Sequence, residues 1–305
     1  LYLLTLERTR SATMTDLQTE VMKRFNLPAE VASFIEGRLV PATNAFGHVT
    51  RQDTDLETYL QPGFRQRGKS KAIGDHLVAL NRTTHVEWKL PALVALQELK
   101  DDIPLLESAM RRLERLAAAC MIAGEDPQAM ILRYVAIVDA VRRRDAAAIE
   151  QATEVEKPLA AKVRMQLLAS TFATKQRFRM PVLLKLNDLM TNRTVACDPA
   201  EVSCEHILPQ NVSKETRDWY DIFRTPDGRR YNGNVYRHRL GNVTVLSHRH
   251  NRLAGSRPFA EKRPLLGQSE HAVARDCAKY AQWTAAVIDE RTERLAAMLL
   301  KHWDL

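Results

Sequence analysis

The stretch LGNVTVLS, residues 240–247, lies between EHILPQ at 205–210 and HRHN at 248–251. Its two valines stand two positions apart, which is the spacing of side chains on one face of a β-strand. Ser247 is a residue type that favours the N-cap of a helix, and Gly255 is typical of the residue that follows a helix. We therefore expect EHILPQ on one strand, LGNVTVLS on a second strand and HRHN on a short helix.

The sequence around these segments predicts mostly helices. Apolar residues recur at helical spacing through residues 105–116, and again near the end of the chain. Short alternating runs and turn residues begin instead near 192–200. The predicted fold is mainly α, with a helical N-terminal domain at residues 1–192 and a small α+β domain with a C-terminal helix at residues 193–305.

The positive charge of the chain is concentrated in one segment. The 305 residues carry a formal net charge of +8, and residues 224–263 alone hold ten basic and two acidic side chains. Such a concentration predicts a polyanionic partner, which we take to be DNA, while residues 1–192 are expected to act as a linker or a further DNA contact. Four arginines close to the three motif segments are the candidate phosphate contacts: Arg237, Arg239, Arg249 and Arg252.

Several features predict a cytoplasmic protein without a membrane contact. No apolar run approaches the roughly 18–20 residues of a membrane helix. The four cysteines lie far apart, as is usual for reduced thiols rather than for disulfides or a zinc site. The chain begins with Leu1 and has no signal peptide, so we expect it to be part of a longer intracellular protein.

The three motif segments carry the side chains that phosphodiester hydrolysis needs. Near neutral pH a histidine can take a proton from water, which makes His206 the candidate general base. The oxygen atoms of Glu205 and Asn251 suit a hard cation such as Mg²⁺ or Mn²⁺. Asn242 has both donors and an acceptor, so it can hold the His206 segment in place. The sequence therefore predicts a metal-dependent phosphodiesterase.

Taken together with PFAEK at 258–262, these segments resemble the C-terminal HNH (ββα-metal) nuclease domain of GmrSD-type restriction enzymes. The resemblance covers roughly residues 193–305, and SspE-like phage-defence nucleases have a similar architecture. It implies an enzyme that cuts or nicks DNA, with a separate N-terminal nucleotide-hydrolysing sensor domain in the full-length protein. It also implies His206, Asn242 and Asn251 as catalytic residues, Glu205 and Asn251 as metal ligands, and Lys262 as a phosphate contact.

The residues leave several alternatives open. His248 or His250 could replace Asn251 as a ligand, since many HNH enzymes have histidine at the last motif position. Adjacent residues of a regular strand point to opposite faces, so Glu205 and His206 share one site only if the strand is distorted there.

A DNA-binding module with a vestigial site and an RNA-directed nuclease are alternative functions. Because one HNH module cleaves one strand, we expect a nickase or two sites in a homo-oligomer.

A second motif, at residues 63–70, has the letters of a nucleotide-binding site. The stretch GFRQRGKS, residues 63–70, fits the letters of a phosphate-binding P-loop. A P-loop follows a buried strand, whereas the residues before Gly63 are amphipathic and end in proline. We therefore interpret residues 53–71 as a basic loop that is exposed or touches DNA.

Overall fold

The computed structural model describes residues 15, 19, 28–51, 56–192, 197–211, 219 and 232–305. By contacts the chain divides into two compact units, residues 1–156 and 157–305. The sequence-predicted boundary after residue 192 falls at residues 193–196, outside the described part, and stays a prediction. Arg224, Arg229 and Arg230 of the basic segment also lie outside it.

The described part of the first unit is built from helices. They are α1 (Pro28–Phe34), a π-helical turn (Ile35–Leu39), α2 (Val40–Thr50), α3 (Glu57–Leu60), α4 (Arg67–Asn81), α5 (Lys89–Glu98), α6 (Ile103–Ala123), α7 (Pro127–Arg142) and α8 (Ala146–Ala152). The predicted helix through 105–116 is confirmed as part of α6. Asp102 caps it by accepting from Leu105 N at 3.1 Å, and Gly124 ends it in the left-handed region at φ 78°.

The P-loop-like stretch does not follow a strand. The short helix α3 precedes it, a 3₁₀ turn covers Phe64–Gln66, and α4 begins at Arg67, so that Lys69 and Ser70 lie inside a helix. The expected loop over residues 53–71 holds for residues 61–63 but is wrong for 57–60 and 64–71, because a four-residue helix and a charged first turn show no apolar period. Residues 53–55 lie outside the described residues.

The second unit contains all of the motif segments. Its elements are α9 (Lys157–Leu168), α10 (Gln176–Thr191), β1 (Val202–His206), α11 (Gly233–Arg237), β2 (Val243–Ser247), α12 (His248–Ala254), α13 (Phe259–Gly267), α14 (Ala272–Ala278) and α15 (Ala285–Trp303). The two strands pair antiparallel, with Val202 opposite Ser247 and His206 opposite Val243. The mainly α fold with a small α+β part is thus confirmed, and the strand, strand, helix order is as predicted. The strands are shorter than expected, because β1 ends at His206 and Leu240–Asn242 form a 3₁₀ turn before β2.

The predicted ends of the short helix α12 are also confirmed. The Ser247 hydroxyl accepts from His250 N at 3.3 Å, which caps the first turn. Gly255 follows the helix with φ 46°, a conformation that L side chains rarely adopt. These caps fix where α12 starts and therefore how Asn251 faces the sheet.

The last helix, α15, fixes the start of β2. Arg291 is fully buried and donates to the carbonyls of Gly241 at 2.7 Å and Val243 at 3.0 Å. The amide of Gly241 donates to Thr292 Oγ1 at 2.9 Å. A Cβ at position 241 would lie 2.0 Å from the Ile288 carbonyl oxygen, so only glycine allows this approach.

None of the helices in the described residues combines the length and apolar character that a bilayer crossing requires.

Candidate active site

The two faces of β1 carry different parts of the predicted site. Successive strand residues point to opposite faces, so Ser203 and Glu205 share one face and His206 points to the other. Contacts agree with this division: Asn251 Nδ2 of α12 donates to Ser203 Oγ at 2.6 Å, and Lys262 Nζ of α13 donates to Glu205 Oε1 at 2.5 Å. Asn251 and His206 therefore approach the strand from opposite sides.

His206 is a buried imidazole at the end of β1, with 8% of the residue exposed. Its Nε2 lies 3.3 Å from Nδ1 of His238, and the Gln210 amide nitrogen lies 3.1 Å from its Nδ1. Burial, reinforced by the nearby His238, Arg179 and Lys262, lowers the pKa of His206 to about 3. At neutral pH the ring is therefore uncharged and keeps a lone pair that can accept a proton.

Asn242 ties the EHILPQ segment to the start of β2. Its side chain is fully buried and makes four hydrogen bonds. Its Oδ1 accepts from Leu208 N and Trp283 Nε1, both at 2.9 Å, and its Nδ2 donates to the carbonyls of Leu208 at 3.1 Å and Arg237 at 2.8 Å. All donors and acceptors of the carboxamide are used, which is the arrangement expected of a positioning residue.

Lys262 does not lie where the predicted phosphate contact would need it. The side chain is fully buried, and its ammonium donates to Glu205 Oε1, to the His206 carbonyl at 2.9 Å and to the Ile207 carbonyl at 3.1 Å. An ammonium has three hydrogens, so none remains for a phosphate. As a correction to the sequence-based expectation, the structure gives Lys262 the role of an internal cation that holds the end of β1.

Burial pushes both members of this pair towards their neutral forms. It raises the pKa of Glu205, although Lys262 opposes the change. It lowers the pKa of Lys262, and here Glu205 opposes it. Desolvation of two charges is costly and is offset only by close contact and further hydrogen bonds. The two carbonyl acceptors of Lys262 supply such bonds.

The side-chain oxygens of Glu205 on β1 and Asn251 on α12 are of the type that binds a hard cation. Glu205 and Asn251 both offer oxygen, and Mg²⁺ commonly takes one or two protein ligands and keeps several waters. The carboxylate already shares one oxygen with Lys262. Within the described residues, no group of three or more His, Cys, Asp or Glu side chains could hold a metal ion.

The alternative histidine ligands lie on α12. His248 is exposed, and its Nε2 lies 3.0 Å from the Ala200 carbonyl, so this nitrogen carries a hydrogen rather than a free lone pair. His250 lies in the same first turn and is half-buried.

The four predicted phosphate-contacting arginines are not equivalent. Arg249 and Arg252 are exposed on α12 and stand three residues apart, which places them on the same side of the helix. Arg237 donates to Asn234 Oδ1 at 2.9 Å. Arg239 is committed to an ion pair with Asp289 of α15 and packs over the Tyr236 ring. Arg249 and Arg252 are thus the best placed to meet a polyanion.

Sequence reasoning missed His238, Gln210 and the indole N–H of Trp283 as parts of the site. His238 stands four residues before Asn242, a spacing that could have drawn attention to it because both follow the same short helix. Trp283 carries no such signal, because an aromatic residue beside a helical apolar stripe is usually a core residue.

Comparison with known proteins gives one match. Residues 161–298 match the family model described as GmrSD restriction endonucleases, C-terminal domain. Neither the curated proteins nor the solved structures contain a match to the chain. The matched segment runs from α9 into α15 and includes β1, β2 and α12. Residues 161–298 are therefore similar to the C-terminal domain of GmrSD restriction endonucleases.

Proposed function

We propose that this chain is a metal-dependent HNH endonuclease that nicks DNA as the effector part of an anti-phage restriction protein. The observation that carries the proposal is the geometry at the end of β1, where the buried imidazole of His206 follows Glu205 and the fully bonded Asn242 ties Leu208, two residues further on, to the start of β2. This arrangement lies within the segment that matches the family model of GmrSD restriction endonucleases, C-terminal domain. Such a domain would act with a nucleotide-hydrolysing sensor domain in the full-length protein.

His206 would take the proton from the attacking water. In the free protein its pKa lies well below neutral pH, so the ring is in the accepting form. A phosphate anion close to the ring favours the protonated form and raises that pKa, which strengthens the base when DNA is bound. Proton transfer of this kind typically contributes about 10²- to 10⁴-fold to a rate.

Glu205 and Asn251 would hold Mg²⁺ or Mn²⁺. When bound, the cation would offset the charge that builds on the phosphoryl oxygens. The cation ligands and the base come from opposite faces of β1, but Glu205 and His206 are consecutive, with Cα atoms about 3.8 Å apart. Because β1 ends at His206, the proposal places the phosphodiester group at this end, where it would reach side chains from both faces.

A supercoiled plasmid tests the proposed activity directly. The purified chain should convert it to open circles with Mg²⁺ or Mn²⁺, and excess chelator should abolish the conversion. A single site cuts one strand, so linear product should appear only after the open circles. Linear product that appears together with the open circles would indicate that two copies act together. Salt-sensitive binding without cleavage in either ion would instead support a vestigial, DNA-binding module. Preferential cleavage of an RNA competitor would redirect the proposal to RNA.

The arginines of α12 should carry part of the DNA affinity. We expect Arg249→Gln with Arg252→Gln to weaken binding equally for unrelated DNA sequences, because phosphate contacts carry no sequence information. The slope of log K against log salt should become smaller by about 2, since each neutralised phosphate contributes about 0.9. Fluorescence anisotropy across a salt series measures this slope.

Arg164→Gln is the matched control, because Arg164 is equally exposed but lies on α9. An unchanged slope in the α12 double variant, or an equal change in the control, would remove α12 from the DNA-binding surface.

A further inference from the structure

We propose that His238 is a positioning residue that fixes the orientation and tautomer of His206. The inference rests on the proposed function, since it assigns a partner to the general base. Nδ1 of His238 lies 3.3 Å from Nε2 of His206, and the two rings meet edge to face with centroids 5.3 Å apart. This contact joins two imidazoles that come from segments 32 residues apart.

His238 is itself held by the main chain around it. Its carbonyl accepts from Ala173 N at 2.7 Å, in the 3₁₀ turn Phe172–Thr174. The carbonyl of the preceding Arg237 accepts from Asn242 Nδ2. The same carboxamide also fixes Leu208, two residues after His206. Asn242 therefore sets the positions of both imidazoles.

The neighbours of His206 determine which of its nitrogens carries the hydrogen. A neutral imidazole has one donor and one acceptor. The Gln210 amide nitrogen lies almost equally far from both nitrogens, 3.1 Å from Nδ1 and 3.2 Å from Nε2, so it does not distinguish between them. The contact with His238 does, because a hydrogen on Nε2 of His206 points at Nδ1 of His238, 3.3 Å away, which accepts it. This hydrogen bond would place the hydrogen on Nε2 and leave the lone pair on Nδ1.

With the hydrogen on Nε2, Nδ1 is the nitrogen of His206 that can accept a proton from water. Gln210 is an exposed residue, and its amide nitrogen lies 3.1 Å from Nδ1. His238 contacts the other nitrogen of the ring, Nε2. Burial, together with Arg237 and Arg179, lowers the pKa of His238, so this partner is also uncharged at neutral pH and can accept through Nδ1.

Two substitutions separate hydrogen bonding from packing. His238→Asn keeps an acceptor near the position of Nδ1, whereas His238→Leu has a similar size and no acceptor. We expect kcat for plasmid nicking to fall about 10- to 100-fold in the leucine variant, with KM unchanged, because partners that orient a histidine have effects of this size. The asparagine variant should keep most of the activity. His302→Leu, on the last turn of α15, is the control for loss of a histidine.

Nitrogen-15 NMR of the histidine side chains gives a readout that does not depend on activity. His206 should carry its hydrogen on Nε2 in the wild type and in His238→Asn, and should lose this preference in His238→Leu. Equal activity in all three proteins, equal loss in both variants, or an unchanged His206 tautomer in His238→Leu would overturn the inference. A wild type that does not cut DNA but shows the expected tautomers would contradict the proposed function and leave the role of His238 standing.

Discussion

His206→Ala should lower the rate of DNA nicking by about 10²- to 10⁴-fold, which is the usual contribution of a general base. The imidazole is uncharged at neutral pH, so one of its nitrogens keeps a lone pair that can accept a proton. Alanine removes that acceptor and leaves the exposed Arg249 and Arg252 in place. DNA affinity should therefore change by less than about twofold, because affinity comes mainly from phosphate contacts. Single-turnover cleavage and anisotropy measure the two quantities.

The control for this variant is His248→Ala, which removes an exposed histidine from α12. It should keep wild-type cleavage unless His248 is a metal ligand. Circular dichroism should show the same helix content in both variants. Cleavage by His206→Ala at the wild-type rate would exclude His206 as the base and, with it, the proposed mechanism.

Lys262→Met should lower the free energy of unfolding by about 3–5 kcal/mol, the typical cost of breaking a buried ion pair by removing one partner. The change leaves the Glu205 carboxylate buried without its ammonium, and the carbonyls of His206 and Ile207 lose a donor. Methionine is of similar length, so the effect arises from the lost charge and hydrogen bonds rather than from a cavity. Urea denaturation measures it.

A double variant isolates the role of the pair. Glu205→Leu together with Lys262→Met replaces both charges by apolar groups and should recover most of the lost stability. Lys279→Met is the surface control, because Lys279 pairs with Asp276 from an exposed position and should change stability by less than about 1 kcal/mol. If Lys262→Met is as stable as the wild type, the ammonium does not hold the end of β1.

Local sequence was sufficient to predict the elements that build the site. Alternating valines predicted β2, and Ser247 and Gly255 predicted the ends of α12, because these signals depend on backbone geometry over a few residues. The helix through 105–116 followed from its apolar period in the same way.

Side-chain partners depended on tertiary contacts and could not be predicted. Lys262 belongs to a basic segment, where lysines are usually exposed, yet α13 buries its side chain against Glu205. Neither composition nor spacing distinguishes the two cases, since they differ only in how α13 packs. The pairing of His206 with His238 is another example, because it depends on a 3₁₀ turn that lies before β1 in the sequence.

The position of α15 bears on how the domain is made during translation. Residues 241–243, around Asn242, make four hydrogen bonds with residues synthesised well after them: they accept one from Trp283 and two from Arg291, and they donate one to Thr292. A ribosome-bound chain that has just completed α12 contains every predicted catalytic residue but lacks these bonds. Assembly of the proposed cleavage centre is thereby coupled to synthesis of a helix that contributes none of the proposed catalytic groups.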